Sequence, residues 1–291
     1  MSSAAAQPQL QPQPGPPGPP PQKGANTVSN FRRTVVPTCV VAVLLAAIVY
    51  VGLHQAYAAT RAWTLTMGLM FLLFLYLGTV ISGRPLGILV GSRNLISLSR
   101  FQTVAWTMVL LSAFLTVAFR RIMADLAAPL DISMDPHLWA LMGISTASLI
   151  STPLILQNKV SKDPANAKAM DSASKSLNEN VEDIEKHRQG LLYANPSIQD
   201  ARLTDMIEGD EVGNTAYIDI SKVQMLLFTV VILVAYCYSV YNLLGQLGAG
   251  KIVADKLAMP ALSDGVIALL GISHAGYLGS KAADHTPSVR T

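Results

Sequence analysis

The side chains best suited to chemistry in this chain are one histidine and two glutamines, which lie in or beside long apolar runs. His274 is an ionisable residue well inside such a run. An ionisable side chain in an apolar segment is a candidate functional site, so proton sensing, gating and ligand contact stand beside a structural hydrogen bond as alternatives. Gln102 and Gln224 lie at the beginning of two runs. There they either cap the helices or line a polar vestibule.

A group of four carboxylates is a second candidate: Asp205, Glu208, Asp210 and Glu211. They could hold a divalent cation, but they lack the spacing of an EF-hand loop, and we expect a solvated charged loop. Cys39 and Cys237 lie in apolar runs without metal-ligand or disulfide spacing. The sequence has no nucleophile–base motif, phosphate-binding loop or zinc-ligand spacing. We therefore predict no enzyme activity, no catalytic residue, no cofactor and no metal site.

Membrane helices are the elements that must position these residues. The chain has 291 residues, a mean hydropathy of +0.39 and 13% charged residues, against about 25% in a soluble domain. Six apolar runs lie at 34–53, 64–82, 101–119, 138–156, 223–244 and 262–280. Each is about 20 residues long, enough to cross about 30 Å of hydrocarbon. The sixth is the weakest, because it contains His274 and several glycines. The runs predict an all-α membrane protein with six transmembrane helices.

Composition divides the rest of the chain. The predicted order is a disordered Pro-rich tail at 1–28, transmembrane helices 1–4 in 29–156, a cytoplasmic loop with short helices at 157–221, transmembrane helices 5–6 in 222–281, and a tail at 282–291. The first segment is too poor in apolar residues to form a core. In the loop, Met170, Leu177, Val181 and Ile184 recur at helical spacing, which predicts an amphipathic helix near 165–188.

Lysine and arginine positions predict the orientation of these helices. With the N-terminus inside, eleven Lys and Arg residues flank the helices on the cytoplasmic side and five on the outside. The positive-inside rule then places both termini in the cytoplasm. Arg120 and Arg121 do not fit this pattern. The net charge of +3 is too small and too scattered to indicate nucleic-acid binding.

The sequence predicts that helices 3–4 and 5–6 are two copies of one hairpin. The matched segments are 96–102 with 218–224, at an offset of 122, and 140–145 with 268–273, at an offset of 128. Both copies enter from the same side, so the repeat is parallel rather than inverted. Each copy carries Ser-x-x-Gln, which predicts a capping box with Ser99 or Ser221 as the N-cap. Arg100 and Lys222, one residue later, are expected to meet lipid phosphates.

Two stripes of small residues predict close helix packing. They are Gly143, Ala147 and Ser151 in helix 4, and Gly271, Ala275 and Gly279 in helix 6. Small residues four positions apart let two helix backbones approach closely. The partner is either another helix of the chain or a second subunit, so a homo-oligomer is one expectation.

The repeated Ser-x-x-Gln segments resemble, together with Gly209–Asn214 and Gly271–Gly279, a group of uncharacterised bacterial multi-pass membrane proteins. The resemblance covers about 90–282 and implies a bacterial cytoplasmic (inner) membrane, but no activity. The leading hypothesis is a non-enzymatic membrane protein that assembles a helical bundle or oligomer with a conducting or sensing role. The alternatives are a small-solute transporter and a scaffold that presents the 157–221 loop to a soluble partner. The lipid bilayer is an expected partner and nucleic acid is not.

Overall fold

The computed structural model describes residues 35–166, 170, 173–175 and 179–290. The predicted disordered tail, 1–28, lies outside the described residues. The helices are α1 (Val36–Leu53), α2 (Ala59–Ser82), α3 (Leu98–Met123), α4 (Pro136–Val160), α5 (Val181–His187), α6 (Ile220–Gly248) and α7 (Asp264–Ala282). Short 3-10 turns lie at Pro85–Leu89, Ile198–Asp200, Leu203–Met206 and Ala254–Lys256. Strands β1 (Lys162–Pro164) and β2 (Ser288–Arg290) pair antiparallel.

In the described part of the chain, five helices are long and apolar enough to cross a membrane: α1, α2, α3, α4 and α6. They correspond to the first five predicted runs. The sixth run forms α7, a 19-residue helix that begins at Asp264 and includes Lys281 in its last turn. Its polar residues lower its hydropathy, and it is not among the five. The five apolar helices are compatible with a multi-pass membrane protein.

The helix ends show that α4 and α7 run parallel over the same length. At their beginnings, His137 Nε2 lies 2.6 Å from the Asp264 carboxylate. At their other ends, Lys159 Nζ donates to the carbonyl of Ala283 at 2.5 Å. We call this second end, where the 157–219 segment lies, the loop side. Because α3 and α6 both begin there, each pair of neighbours α3–α4 and α6–α7 is antiparallel.

The starts of these helices have the same spacing as the predicted repeat. The first residues of α3 and α6, Leu98 and Ile220, are 122 positions apart. Those of α4 and α7, Pro136 and Asp264, are 128 apart. These are the two offsets of the sequence alignment. Superposition of the two hairpins stays a prediction.

The predicted capping boxes are wrong. Ser99 and Ser221 lie inside their helices, and the N-caps are Ser97 and Asp219. The Asp219 carboxylate accepts from the amides of Ser221 at 2.9 Å and Lys222 at 3.3 Å. Because this carboxylate caps α6 two residues earlier, the serine hydroxyl is not needed as a cap.

The apolar core lies between α2, α3, α4, α6 and α7. Trp106 of α3 and Tyr236 of α6 are buried at its centre, in an edge-to-face contact with centroids 6.1 Å apart. Trp63 of α2 donates to Ser112 of α3 at 3.0 Å, which fixes α2 against the same core. The bundle is therefore built by contacts within one chain.

Arg120 and Arg121, which did not fit the charge rule, bind backbone carbonyls at the end opposite the loop side. Arg120 donates to Tyr57 O at 2.8 Å, and the buried Arg121 donates to Asp255 O at 3.0 Å and Ala128 O at 3.2 Å. Both side chains tie connecting segments together, so packing accounts for their position.

The loop has a small core of its own, made by Met170, Ala173, Ile184, Tyr193 and Val212. The predicted helix over 165–188 is wrong, because α5 begins only at Val181 and Asn180 is extended. Met170 and Ile184 are both buried, as their spacing suggested, but on two segments that converge on Tyr193. If Met170 and Ile184 lay on one straight helix, they could not both reach this compact core.

The C-terminal segment is bound to the loop rather than loose. Thr286 Oγ1 accepts from the Gly213 amide at 3.1 Å. The last strand, β2, pairs with β1 directly after α4. Residues 283–290, part of the predicted tail, therefore belong to the folded structure.

Candidate functional site

A buried polar cluster inside the bundle brings together two of the three predicted site residues. Gln102 of α3 donates to the hydroxyl of Thr229 on α6, and its Nε2 lies 3.5 Å from His274 Nε2 on α7. His274 Nδ1 lies 2.5 Å from Ser148 Oγ on α4. One histidine thus connects three helices and, through Gln102, a fourth.

The hydrogen bonds in this cluster suit an uncharged imidazole. The Gln102 amide donates to Nε2, which must then carry a lone pair, and Nδ1–H is left to donate to Ser148. The Gln102 carbonyl oxygen is buried and has no hydrogen-bond partner among the described residues. A protonated Nε2 would face the Gln102 amide, which is also a donor, so the arrangement as it stands favours the uncharged ring.

Gln224, the third predicted site residue, is not in this cluster. It is exposed on α6, whereas its counterpart Gln102 is fully buried. Thr146, the counterpart of His274, is also exposed. The aligned positions therefore contribute differently to the bundle interior, and a vestibule lined by both glutamines is not formed.

The small-residue stripes face away from the rest of the chain. No described atom lies within 4 Å of where a Cβ would stand on Gly143, Gly271 or Gly279. Ala147 and Ala275 are exposed, and Ser151 is half-buried. Since α4 and α7 contact each other through Ser148 and His274 instead, the alternatives left for the stripes are a second subunit and lipid.

The acidic group is not the solvated loop that its composition suggested. Glu211 is fully buried and Asp205 and Asp210 are each 9% exposed. The expectation was wrong because buried cations from distant parts of the chain surround two of these carboxylates. No cluster with metal-ligand composition occurs among the described residues.

Three cations converge on Asp210. Its carboxylate lies 2.5 Å from Arg93, 2.5 Å from Lys281 and 3.2 Å from Lys222. Lys222 was expected at the lipid phosphates, but it is buried and also donates to the carbonyl of Glu208. Burial raises the pKa of the Asp210 carboxyl, but the charges of Lys222, Lys281 and Arg93 outweigh burial and hold this pKa well below its usual value. Asp210 is therefore ionised at neutral pH.

A second buried ion pair lies next to the first. Lys159, at the end of α4, pairs with Glu211, and both side chains are almost completely buried. The Glu211 carboxylate also accepts from the amides of His285 and Thr286, at 3.0 and 2.6 Å. This pair therefore joins α4, the loop and the C-terminal segment.

A tight turn directs the two carboxylates inward. The Asn214 side chain accepts from the Glu211 amide at 2.9 Å. A Cβ on Gly209 would lie 2.3 Å from the same side chain, and one on Gly213 would lie 2.7 Å from Thr286 Oγ1. The turn therefore closes only with glycine at Gly209, and the C-terminal segment packs against the turn only with glycine at Gly213.

A cavity of about 400 Å³ opens beside this charged cluster. Its lining includes Asp210 and the basic residues Lys222, Lys281, Arg93 and Arg100. Asp205 lines it too, and its carboxylate accepts from the amides of Ile96 and Arg202. Burial raises the pKa of the Asp205 carboxyl and outweighs these two hydrogen bonds, which lower it.

The sequence did not predict that Arg93, Lys222 and Lys281 meet in one site. Each looks like an ordinary basic residue at a helix end, and the pattern of the chain carries no sign that they meet. One available signal was the Gly209–Asn214 segment, whose two glycines around Asp210 and Glu211 are typical of a constrained turn rather than a solvated loop.

Comparison of the chain with protein-family models, with curated proteins and with solved structures found no match. The class of protein therefore has to be inferred from the structure alone. The chain has apolar helices compatible with a multi-pass membrane protein, and buried ion pairs join the helix ends to the loop at one end of the bundle.

Proposed function

We propose that this is a non-enzymatic, six-span protein of the bacterial cytoplasmic membrane that senses a change at its cytoplasmic face. In this proposal the 157–219 loop is the sensing part and the helical bundle responds. The observation that carries it is the position of Asp210. This loop residue pairs with Arg93 before α3, Lys222 in the first turn of α6 and Lys281 in the last turn of α7.

Such an arrangement couples the loop to the bundle. Separating a buried ion pair leaves uncompensated charges, which costs about 3–5 kcal/mol. The loop therefore cannot move away while the helix ends stay as they are. A ligand or partner that changes the loop would change the packing of α3, α6 and α7 as well.

One feature supports the sixth span. The helix α7 begins beside α4 at Asp264 and ends beside it next to Ala283, so if α4 crosses the membrane α7 extends over the same thickness. The exposed Tyr217 lies just before α6, and tyrosine is enriched at membrane–water interfaces. The orientation with both termini inside rests on the Lys and Arg distribution.

The Asp210→Asn variant tests the coupling. We expect faster proteolysis of the loop and, in the same variant, lower thermal stability of the bundle. Asp183→Asn is the matched control, since Asp183 belongs to the same loop but forms an exposed pair with Lys186. If Asp210→Asn loosens the loop and leaves bundle stability unchanged, the loop is an independent module, which favours the scaffold alternative. A transporter has no specific observation in its favour.

A further inference from the structure

The cavity beside Asp210 has a charge imbalance that its own residues do not resolve. Four basic and two acidic side chains line it, which gives the lining a net charge of +2. Arg93, Lys222 and Lys281 share Asp210 as their carboxylate partner. A buried cation without a counter-charge either loses its proton or acquires an anion. The cavity provides space for an anion at this position.

The first turn of α3 adds hydrogen-bond donors to the same cavity. Leu98, Ser99 and Arg100 line it, and the first amides of a helix have no partner within that helix. The N-cap Ser97 makes no side-chain hydrogen bond to them. In the matching helix α6 the carboxylate of Asp219 fills this role. The first turn of α6 is therefore capped by a carboxylate of the chain itself, whereas the first turn of α3 can accept an external anion.

The helix α4 contributes an apolar part of the cavity wall. It consists of Leu149, Pro153, Leu156 and Val160. Pro153 lies inside the helix and has no amide to donate to the Leu149 carbonyl. Next to this wall Leu154 is 61% exposed on the outer face of α4. A small, fully hydrated anion would gain nothing from such a wall, whereas an anion attached to an acyl chain would cover it.

Two exposed residues of the cavity lining lie at helix ends. They are Arg100, in the first turn of α3, and Gln157, near the end of α4. Both helices are candidate spans. The terminal turns of a spanning helix lie among lipid headgroups, where Arg and Lys attract anionic lipids.

We propose that this cavity binds the phosphate headgroup of an anionic membrane phospholipid, which enters between the first turn of α3 and the last turns of α4. The phosphate meets the α3 amides, Arg100, Lys222 and Lys281, and an acyl chain follows the apolar face of α4. The proposal rests on the membrane-spanning placement of α3 and α4, which is part of the proposed function.

Titration of soluble short-chain lipids into the detergent-solubilised full chain tests the proposal. Dihexanoyl phosphatidylglycerol should bind saturably, while dihexanoyl phosphatidylcholine and inorganic phosphate should bind much more weakly. The Ser97→Asp variant gives α3 the cap that α6 already has and places a carboxylate where the phosphate would bind. It should weaken binding of the anionic lipid about tenfold, and Arg100→Gln should act in the same direction.

Both variants are expected to fold, because aspartate is a favoured N-cap and Arg100 is exposed. Lys251→Gln, exposed at the other end of the bundle, is the control and should bind like the wild type. Equal affinity for the two lipids, or no effect of either cavity variant, would overturn the site. Equal affinity for inorganic phosphate would overturn the lipid as ligand in favour of a free anion. None of these results bears on the loop–bundle coupling, which the Asp210→Asn experiment tests separately.

Discussion

Replacing Glu211 by glutamine is expected to destabilise the contact between α4, the loop and the C-terminal segment. Glu211 is fully buried, pairs with Lys159 and accepts from the amides of His285 and Thr286. Glutamine has nearly the same shape but no charge, and its NH₂ group replaces one accepting oxygen by a donor. The Lys159 ammonium would still donate to the carbonyl of Ala283, 2.5 Å away, but it would lose its counter-charge.

The expected loss in the free energy of unfolding is about 3 kcal/mol, since removing one partner of a buried ion pair costs about 3–5 kcal/mol. The lower end applies because the Ala283 carbonyl stays in place and the glutamine oxygen can still accept from a backbone amide. A second substitution, Lys159→Met, removes the uncompensated cation. The double variant should therefore be about 2 kcal/mol more stable than Glu211→Gln alone.

Reversible unfolding in mixed micelles measures these differences, and hydrogen exchange of residues 283–290 shows whether the segment is released. Glu185→Gln is the matched control, because the Glu185 carboxylate that pairs with Arg188 is exposed to solvent. A loss below about 1 kcal/mol for Glu211→Gln, the range of an exposed pair, would refute the reasoning. So would a double variant that is no more stable than the single one.

Four further outcomes follow. Acidification should destabilise the protein below about pH 4. The ionised Asp210 carboxylate stabilises the folded state, because its pKa is lower there than in the unfolded chain. This stabilisation is complete above the unfolded-state pKa and is lost as the pH falls toward the folded-state pKa. Thermal unfolding against pH should show this loss in the wild type and much less of it in Asp210→Asn. His274→Ala should lower stability by about 1–2 kcal/mol and, if His274 senses protons, also abolish any difference in protease protection between acidic and neutral pH. A wild type indifferent to pH removes the sensing role. Ala275→Leu should dissociate an oligomer, measured by native mass, without lowering the stability of the monomer, and an unchanged mass would mean that the stripe faces lipid. Cysteines in place of Lys175 and Leu130 should label from opposite sides of the membrane, and labelling from one side contradicts the topology.

The sequence by itself determined the five long apolar helices and the spacing between the starts of α3 and α6 and of α4 and α7. The length and polarity of an apolar run are local properties, since every backbone group of a helix is satisfied within its own segment. The offsets of 122 and 128 could therefore be taken from the sequence before the helix starts at Leu98, Ile220, Pro136 and Asp264 were seen. The caps were misplaced by two residues because several polar side chains near a helix start can act as the cap.

Only the tertiary structure decided which polar residues form a site. Arg93 and Asp210 are 117 positions apart, and Lys281 and Asp210 are 71 apart, so no local pattern connects them. The same residue type has opposite environments at two positions that the sequence aligns: Gln102 is buried against His274 while Gln224 is exposed. Burial of a charge is stable only where several distant segments bring its partners to one place, and this depends on how the helices pack.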